Sequence, residues 1–162
     1  MRHLCCAAAA LTLAATGPAS ALSCLAPDVA SSFTYAAEAE QSYVVLHGEF
    51  SFAPPPSSIT GDINAPREVS YTATFSGEAL GRSGFVPVGD LTVDVTHGCA
   101  AAWCGSLAGG VPTIAFVEKQ ADGYAITVGP CGGQAFARPT RQMVQQVEAC
   151  MRGETCEGGL LR

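Results

Sequence analysis

Apolar and polar residues alternate in several short segments of this chain, which is the pattern of half-buried β-strands. In the segment from Glu68 to Gly77 every second residue is apolar, and its neighbours are serine and threonine. Ser42 to Ala53 alternates in the same way, and further strand-like segments are Phe85 to Val88, Leu91 to Val95, Val111 to Lys119 and Tyr124 to Val128. Gly89-Asp90 interrupts the pattern between Phe85 to Val88 and Leu91 to Val95. The tally over the chain is about five main strands.

Glycine and proline positions mark the expected turns. Gly48 lies inside the first strand pattern, where a glycine predicts a bulge or a tight bend. Residues Ala53 to Pro66 contain four prolines and predict a long loop, since proline cannot donate a ladder hydrogen bond. Asp122-Gly123 between the last two strand segments predicts a hairpin.

The tail of the chain changes period. Between Pro139 and Gly153 the apolar residues follow the spacing of an amphipathic helix, namely Met143, Val144, Val147, Cys150 and Met151. Residues 22–41 have no clear period, and we expect an extended lead-in there. Five strands and one helix is the count of an OB-type β-barrel, whereas an immunoglobulin-like sandwich needs about seven strands. The predicted fold is mainly β: a five-stranded OB-type barrel over about residues 42–131, with a C-terminal α-helix over about 139–151.

The first residues have the pattern of an export signal. A short basic start precedes an apolar run from Leu4 to Ala15, which is shorter than the roughly 20 residues of a membrane-spanning helix. Ala19-Ser20-Ala21 then has the small-residue spacing that signal peptidases cleave; the competing interpretation is a buried N-terminal helix. We expect residues 1–21 to be removed and residues 22–162 to form a single domain, periplasmic or secreted.

The charge of the exported chain restricts its partners. Residues 22–162 contain seven basic and fourteen acidic residues, a formal net charge of −7, and the basic residues are scattered. Nucleic acids and anionic membranes need clustered positive charge, so neither is an expected partner. No second apolar run is long enough to cross a membrane. We expect a monomer.

Six cysteines follow the signal: Cys24, Cys99, Cys104, Cys131, Cys150 and Cys156. An even number in an exported chain predicts disulfides, for which six cysteines allow about 15 pairings. The competing interpretation is a metal site with His97, Cys99 and Cys104 as ligands, since thiolate and imidazole suit zinc or copper. The C-x-x-C pairs of zinc ribbons are absent from the sequence, and we expect no metal or cofactor.

The order of these segments resembles that of the netrin-like domains, whose best known members are the tissue inhibitors of metalloproteinases. The resemblance extends roughly from Cys24 to Phe136. It rests on Cys24-Leu25-Ala26-Pro27, a first strand with Gly and Phe (Val44 to Phe50), a third strand (Leu91 to Val95), Cys104-Gly105, an apolar fourth strand (Ile114 to Val117), and a fifth strand ending in a cysteine (Tyr124 to Cys131). The resemblance implies an OB-type barrel.

The resemblance also implies a disulfide from the N-terminal cysteine to a later one. The first expectation is Cys24–Cys131, with Cys99–Cys104 closing the loop between strands three and four and Cys150–Cys156 joining the helix to the tail. The rival pairing is Cys24–Cys104 with Cys99–Cys131, which is nearer to the arrangement in the family.

The function that we predict is non-catalytic binding of a protein or a cell-surface ligand. OB-type barrels bind through the face and loops around their first three strands. The candidate loops are Pro54 to Pro66 and His97 to Gly105, and the candidate binding residues are Trp103, His97 and Pro27. Tryptophan is a frequent anchor at interfaces. The alternative, to which the sequence gives equal support, is that Trp103 packs over the end of the barrel as part of the core.

Protease inhibition and catalysis are the two alternatives to binding. In the inhibitors of this family a free N-terminal cysteine binds the zinc of the protease, which here requires cleavage after Ser23 to expose Cys24. Cleavage after Ala21 leaves two residues ahead of Cys24, and Ala26 stands where those inhibitors carry a second cysteine. An enzyme is not expected, because the exported chain has only His47 and His97 as histidines and no hydrolase or phosphate-loop motif. No catalytic residues are therefore proposed.

Overall fold

The structure is a computed structural model that describes residues 24–53, 67–101 and 103–158. The predicted export signal and the proline-rich loop at 54–66 lie outside the described residues. The described part is mainly β, as predicted, with a seven-stranded sheet and two helices. Their bounds are α1 Val29–Glu38, β1 Tyr43–Ser51, β2 Arg67–Gly81, β3 Gly84–Ala100, β4 Trp103–Cys104, β5 Thr113–Gln120, β6 Gly123–Val128, β7 Ala135–Ala137 and α2 Arg141–Met151.

Most strands of the sheet pair antiparallel. The order is β1-β2-β3-β6-β5-β7, and β1 also pairs with β5. β3 and β6 form a parallel pair, in which Val93 lies opposite Tyr124 and His97 lies opposite Val128. The short strand β4 pairs with β3, and β7 extends the free edge of β5. The predicted hairpin between the last long strands is present, with Gln120 paired to Gly123.

One predicted strand break is wrong, because β3 continues through Gly89-Asp90. The register between β2 and β3 shifts between Phe75 and Gly77, so that a β-bulge forms where the break was expected. The hydroxyl of Ser76 donates a hydrogen bond to Oδ1 of Asp90 at 2.6 Å. The one extra residue on β3 is therefore accommodated without ending the strand.

Gly48 is explained by a close approach of strands. It pairs in regular register with Gly77 on β2 and with Thr113 on β5, so the predicted bulge is not found in β1. A Cβ atom on Gly48 would lie 2.7 Å from Cα of Gly77 and 2.8 Å from Cζ of Phe75. The ring of Phe75 thus lies over two paired glycines, where no larger residue fits.

The predicted extended lead-in is also wrong, because residues 29–38 form α1. The side chain of Asp28 caps this helix by accepting hydrogen bonds from the N–H groups of Ala30 and Ser31, both at 3.0 Å. Val29 and Ala30, the first two residues of the helix, are buried. Capping and contacts with distant residues therefore stabilise a segment whose own period is weak.

The second helix begins at Arg141, and the side chain of Thr140 caps it by accepting from the N–H of Met143. Its apolar face contains the buried residues Val147 and Cys150. Gly153 follows with a φ of 77°, a left-handed conformation that glycine adopts readily. A C-terminal helix with this apolar stripe agrees with the prediction.

The core has two parts on opposite faces of the sheet. The inner cluster is formed by side chains of five strands and of Leu107, and includes Phe50, Phe75, Val93 and Val117. The outer cluster lies between the sheet and the helices, and includes Val29, Ile114, Phe116 and Val147. Because β5 contributes to both clusters, five consecutive residues of it, 113–117, are buried.

Three disulfides join Cys24 to Cys131, Cys99 to Cys104 and Cys150 to Cys156. These are the pairs first expected, and the rival pairing is not found. Such bonds are typical of oxidising compartments outside the cytoplasm. Among the described residues, no helix is both long and apolar enough to cross a bilayer.

Candidate functional site

The clearest candidate site is a hairpin at the end of β3, formed by residues 97–107 and here called the Trp103 hairpin. Its strands pair Cys99 with Cys104 and Ala100 with Trp103. The disulfide joins the first of these pairs, with 4.0 Å between the Cα atoms. Residue 102 lies outside the described residues. The two strands of the hairpin are thus linked covalently at their first pair.

His97 fastens the return strand of the hairpin. The N–H of Leu107 donates to Nε2 of His97 at 3.2 Å, and the hydroxyl of Tyr71 lies 2.9 Å from the same nitrogen. Since a backbone N–H can only donate, Nε2 accepts and the neutral ring carries its proton on Nδ1. Burial lowers the pKa of His97 and raises the pKa of Tyr71, so both groups favour their neutral forms.

The base of the hairpin packs directly on the end of β6. The N–H of Gly105 donates to the carbonyl of Gly98 at 3.0 Å. A Cβ atom on Gly105 would overlap the carbonyl of Val128 and lie 2.7 Å from that of Gly129. Only glycine fits this contact, which brings the hairpin against the segment that leads to Cys131.

Trp103 projects from this frame into solvent, with 67% of its surface exposed. An exposed position and a position in the core were both expected for Trp103, and the structure shows the exposed one. Its neighbour Cys104 is exposed as well, whereas Gly105 and Leu107 are buried. The hairpin therefore presents one large aromatic side chain on a base that is anchored in the protein.

Pro27 and Cys24 lie at the same end of the sheet as the hairpin. Because His97 is opposite Val128 in a parallel pair, Cys99 near the end of β3 and Cys131 just past the end of β6 lie at the same end of the sheet. Cys131 holds Cys24, and Pro27 lies beside the glycine pair at 132–133. The fold thus brings the predicted binding residues to one end of the sheet.

The cysteines and histidines that could bind a metal or act in catalysis are engaged in the fold. Cys99 and Cys104 are joined to each other, so they present no free thiolate to a metal beside His97. His47 is half-buried on β1, with its ring centroid 5.2 Å from that of Phe85. No group of three or more His, Cys, Asp or Glu suited to a metal is present in the described part of the chain.

Two features of the structure, the contact of Tyr71 with His97 and a groove beneath α1, were not predicted from the sequence. Tyr71 was assigned only to the apolar face of a strand, and its hydroxyl contact with His97 depends on the register between β2 and β3. A groove of about 680 Å³ beneath α1 was missed together with that helix. Asp28, a good N-cap residue just before an apolar pair, is the signal that could have indicated α1.

Comparison of the chain with protein-family models, with curated proteins and with solved structures gives no match. The resemblance to netrin-like domains therefore stays a prediction from the sequence.

Proposed function

We propose that this protein is an exported, non-catalytic binding module that holds a protein partner through the Trp103 hairpin. The observation that carries the proposal is the exposure of Trp103 on a hairpin held by a disulfide and by His97. An anchor that is already ordered loses little conformational freedom on binding, which favours affinity. Tryptophan is also among the residues most enriched at the energetic centres of interfaces.

The magnitude of this anchor follows from its exposed area. A tryptophan buries about 150–250 Å² at a contact, and two thirds of that area is accessible here. At about 25 cal/mol per Å², covering it contributes about 2.5 to 4 kcal/mol, or roughly 60- to 700-fold in affinity. One side chain can thus decide whether the partner stays bound.

For the fold we propose the OB-type barrel that the netrin-like resemblance implies. The strand pairings support it, because β1 pairs with both β2 and β5 and so links the two ends of the order β1-β2-β3-β6-β5. Five strands paired in this cyclic order correspond to a small barrel. On this interpretation β4 and β7 are additions to its ends.

Export and the lack of catalysis belong to the same proposal. The three disulfides support an oxidising compartment, and the N-terminal pattern supports export. The bond between Leu107 and Nε2 of His97 supports a structural role for this histidine, since the nitrogen that would act as a base is engaged.

The experiment is site-specific photo-crosslinking in the cells that export the protein. A photoreactive phenylalanine analogue replaces Trp103 in one strain and Val86 in a matched control strain. Val86 is a suitable control because it is also an exposed apolar residue, at 46% of its surface, on the same strand as the start of the hairpin. The crosslinked products are separated and identified by mass spectrometry.

We expect a discrete crosslinked protein at position 103 and none at position 86. The identified partner, purified, should shift the fluorescence of the single tryptophan towards the blue. Trp103→Ala should weaken its binding by roughly 30-fold or more while the unfolding midpoint stays unchanged. Equal crosslinking at the two positions, or unchanged binding by Trp103→Ala, would contradict the proposal.

A further inference from the structure

A groove of about 680 Å³ lies between α1 and the outer face of β3, β5 and β6. It opens because β5 changes its neighbour along its length. β5 pairs with β6 at residues 118–120 and with β7 at 113–115. Between these two stretches the N–H of Phe116 donates to the carbonyl of Gln134 at 2.8 Å. The fork between β6 and β7 forms the floor, and α1 forms one wall through Ser32 and Tyr35.

Five residues form one row across the outer face beneath this groove. Successive strand pairings place them in the order Tyr43, Glu118, Ala125, Asp94 and Thr72. Two carboxylates therefore flank the small side chain of Ala125. Neighbouring strands lie about 4.8 Å apart, so the backbones of Glu118 and Asp94 are about 10 Å apart.

The groove has an excess of hydrogen-bond acceptors and negative charge. Asp94 and Glu118 both line it, and no Lys, Arg or His is among its described lining residues. The hydroxyl of Thr72 donates to Oδ1 of Asp94 at 3.3 Å and so orients that carboxylate. Gln134 lines the groove as well, and its Oε1 atom is buried and accepts no hydrogen bond from the described residues.

Aromatic side chains complete the lining. Tyr35, Tyr43 and Phe116 line the groove together with the carboxylates, and they come from α1, β1 and β5. Burial raises the pKa of Tyr43, and the charges of Tyr35 and Glu118 raise it further. Tyr43, Tyr35 and Glu118 therefore lie close enough to interact electrostatically. Aromatic faces attract organic cations, and they provide an apolar surface for a methylene chain.

We propose that this groove binds a linear aliphatic diamine, with one ammonium group at Asp94 and the other at Glu118. The methylene chain lies over Ala125 between the two tyrosines. The buried oxygen of Gln134 is an acceptor for an ammonium proton. This site is separate from the function assigned to the Trp103 hairpin and stands without it.

The spacing of the carboxylates favours a diamine over other cations. A single metal ion takes its oxygen ligands at about 2.0–2.6 Å, so it needs carboxylates that converge on one point. Asp94 and Glu118 lie on strands separated by a third strand. A monoamine neutralises only one of them, whereas two ammonium groups joined by a short chain match both.

The test is a titration of the ¹⁵N-labelled full chain with 1,5-diaminopentane, followed by amide chemical shifts. Matched titrations use pentylamine, calcium chloride and sodium chloride at equal ionic strength and neutral pH. We expect saturable shifts at Glu118, Ala125 and Thr127 with the diamine. Pentylamine should bind about fivefold more weakly or worse, because it loses one partly exposed ion pair.

Variants locate the site. Asp94→Asn and Glu118→Gln should each weaken the diamine about fivefold, whereas Asp90→Asn, on the same strand and also exposed, should change it less than about twofold. Ala125→Leu retains both carboxylates but fills the space between them, and should abolish the saturable shifts. Each variant is first checked for unchanged unfolding in the absence of ligand.

Three results would overturn the proposal. The first is that sodium chloride or calcium chloride reproduces the shifts. The second is that pentylamine binds as tightly as the diamine. The third is that Asp90→Asn weakens binding as much as Asp94→Asn, which would show an effect of net charge and not of the groove.

Discussion

Replacing Gly48 with alanine tests the close approach of β1 and β2 most sharply. The added Cβ would lie 2.7 Å from Cα of Gly77 and 2.8 Å from Cζ of Phe75, and nearer still to the carbonyl of Ser76. Real Cβ atoms essentially never make contacts under 3.0 Å, so something must shift. Two of these three neighbours are backbone atoms in a paired strand, and the third belongs to a fully buried ring.

The sign of the effect depends on two opposing terms. Removing a glycine from a strand interior stabilises the fold by about 0.5 to 1 kcal/mol through the lost freedom of the unfolded chain. Inserting a methyl group into a filled core costs about 1 to 3 kcal/mol, and more where the backbone must move. We expect Gly48→Ala to lower the free energy of unfolding by about 2 kcal/mol.

Urea unfolding followed by far-ultraviolet circular dichroism, with the disulfides intact, measures this difference. Gly98→Ala is the matched control, since Gly98 is also a strand glycine but a Cβ there meets nothing within 4 Å. The control should be neutral or stabilising by a few tenths of a kcal/mol. If the two variants unfold at the same urea concentration, the glycine contact does not exist as described.

Three further predictions concern the disulfides, His97 and the cap of α1. Replacing Cys24 and Cys131 together with alanine should cost about 4 to 5 kcal/mol of unfolding free energy, since their bond spans 107 residues of sequence; urea unfolding measures it. Burial lowers the pKa of His97, so its contribution to stability should be complete above about pH 6.5 and lost as the pH falls further, with faster hydrogen exchange at the amide of Leu107. Asp28→Ala should cost about 1 kcal/mol through the lost cap, measured by thermal unfolding.

Each of these has a control and a contradicting result. Removing the Cys150–Cys156 bond, which spans six residues, should cost about half as much as removing Cys24–Cys131; an equal cost would refute the loop-length reasoning. His97→Gln should abolish the loss of stability just below pH 6.5, and its persistence would assign the loss to another group. Asp28→Asn retains an acceptor and should restore most of what Asp28→Ala loses.

Asp28 also gives α1 a dependence on acid. Partial burial by itself would raise the pKa of Asp28, but hydrogen bonds from the N–H and hydroxyl of Ser31 and from the N–H of Ala30 together lower it. A carboxyl with a lowered pKa stabilises the fold above its unfolded pKa and loses this effect as the pH falls through the folded value. The cap therefore weakens only in acid, below the ordinary carboxyl pKa of about 3.8.

What could be predicted from the sequence follows from local patterns. The alternation around Tyr71 and Ile126 is strong because one face of each strand is buried in the inner cluster. α2 has a clear apolar stripe that ends in Val147 and Cys150. These elements display their burial in their own residues, and a short window is enough to read it.

The features that were missed depend on residues far apart in the chain. α1 is stabilised by a cap and by contacts of Val29 with the outer cluster, whereas β4 and β7 are too short to show a period. Gly89-Asp90 resembles a strand break in the sequence, because the β-bulge that accommodates it beside Ser76 forms only when β2 pairs with β3. The groove requires a fork of three strands and a helix, and no short segment contains that information.

The central claim is an exported binding module whose Trp103 hairpin is closed by the Cys99–Cys104 disulfide, and intact mass with N-terminal sequencing tests it most directly. The exported protein is analysed with and without thiol alkylation before reduction. We predict a chain that begins at Leu22, with all six cysteines oxidised and none alkylated. A chain that retains Met1, or an alkylated Cys99 or Cys104, would contradict the claim, and a start at Cys24 would favour zinc-binding protease inhibition instead.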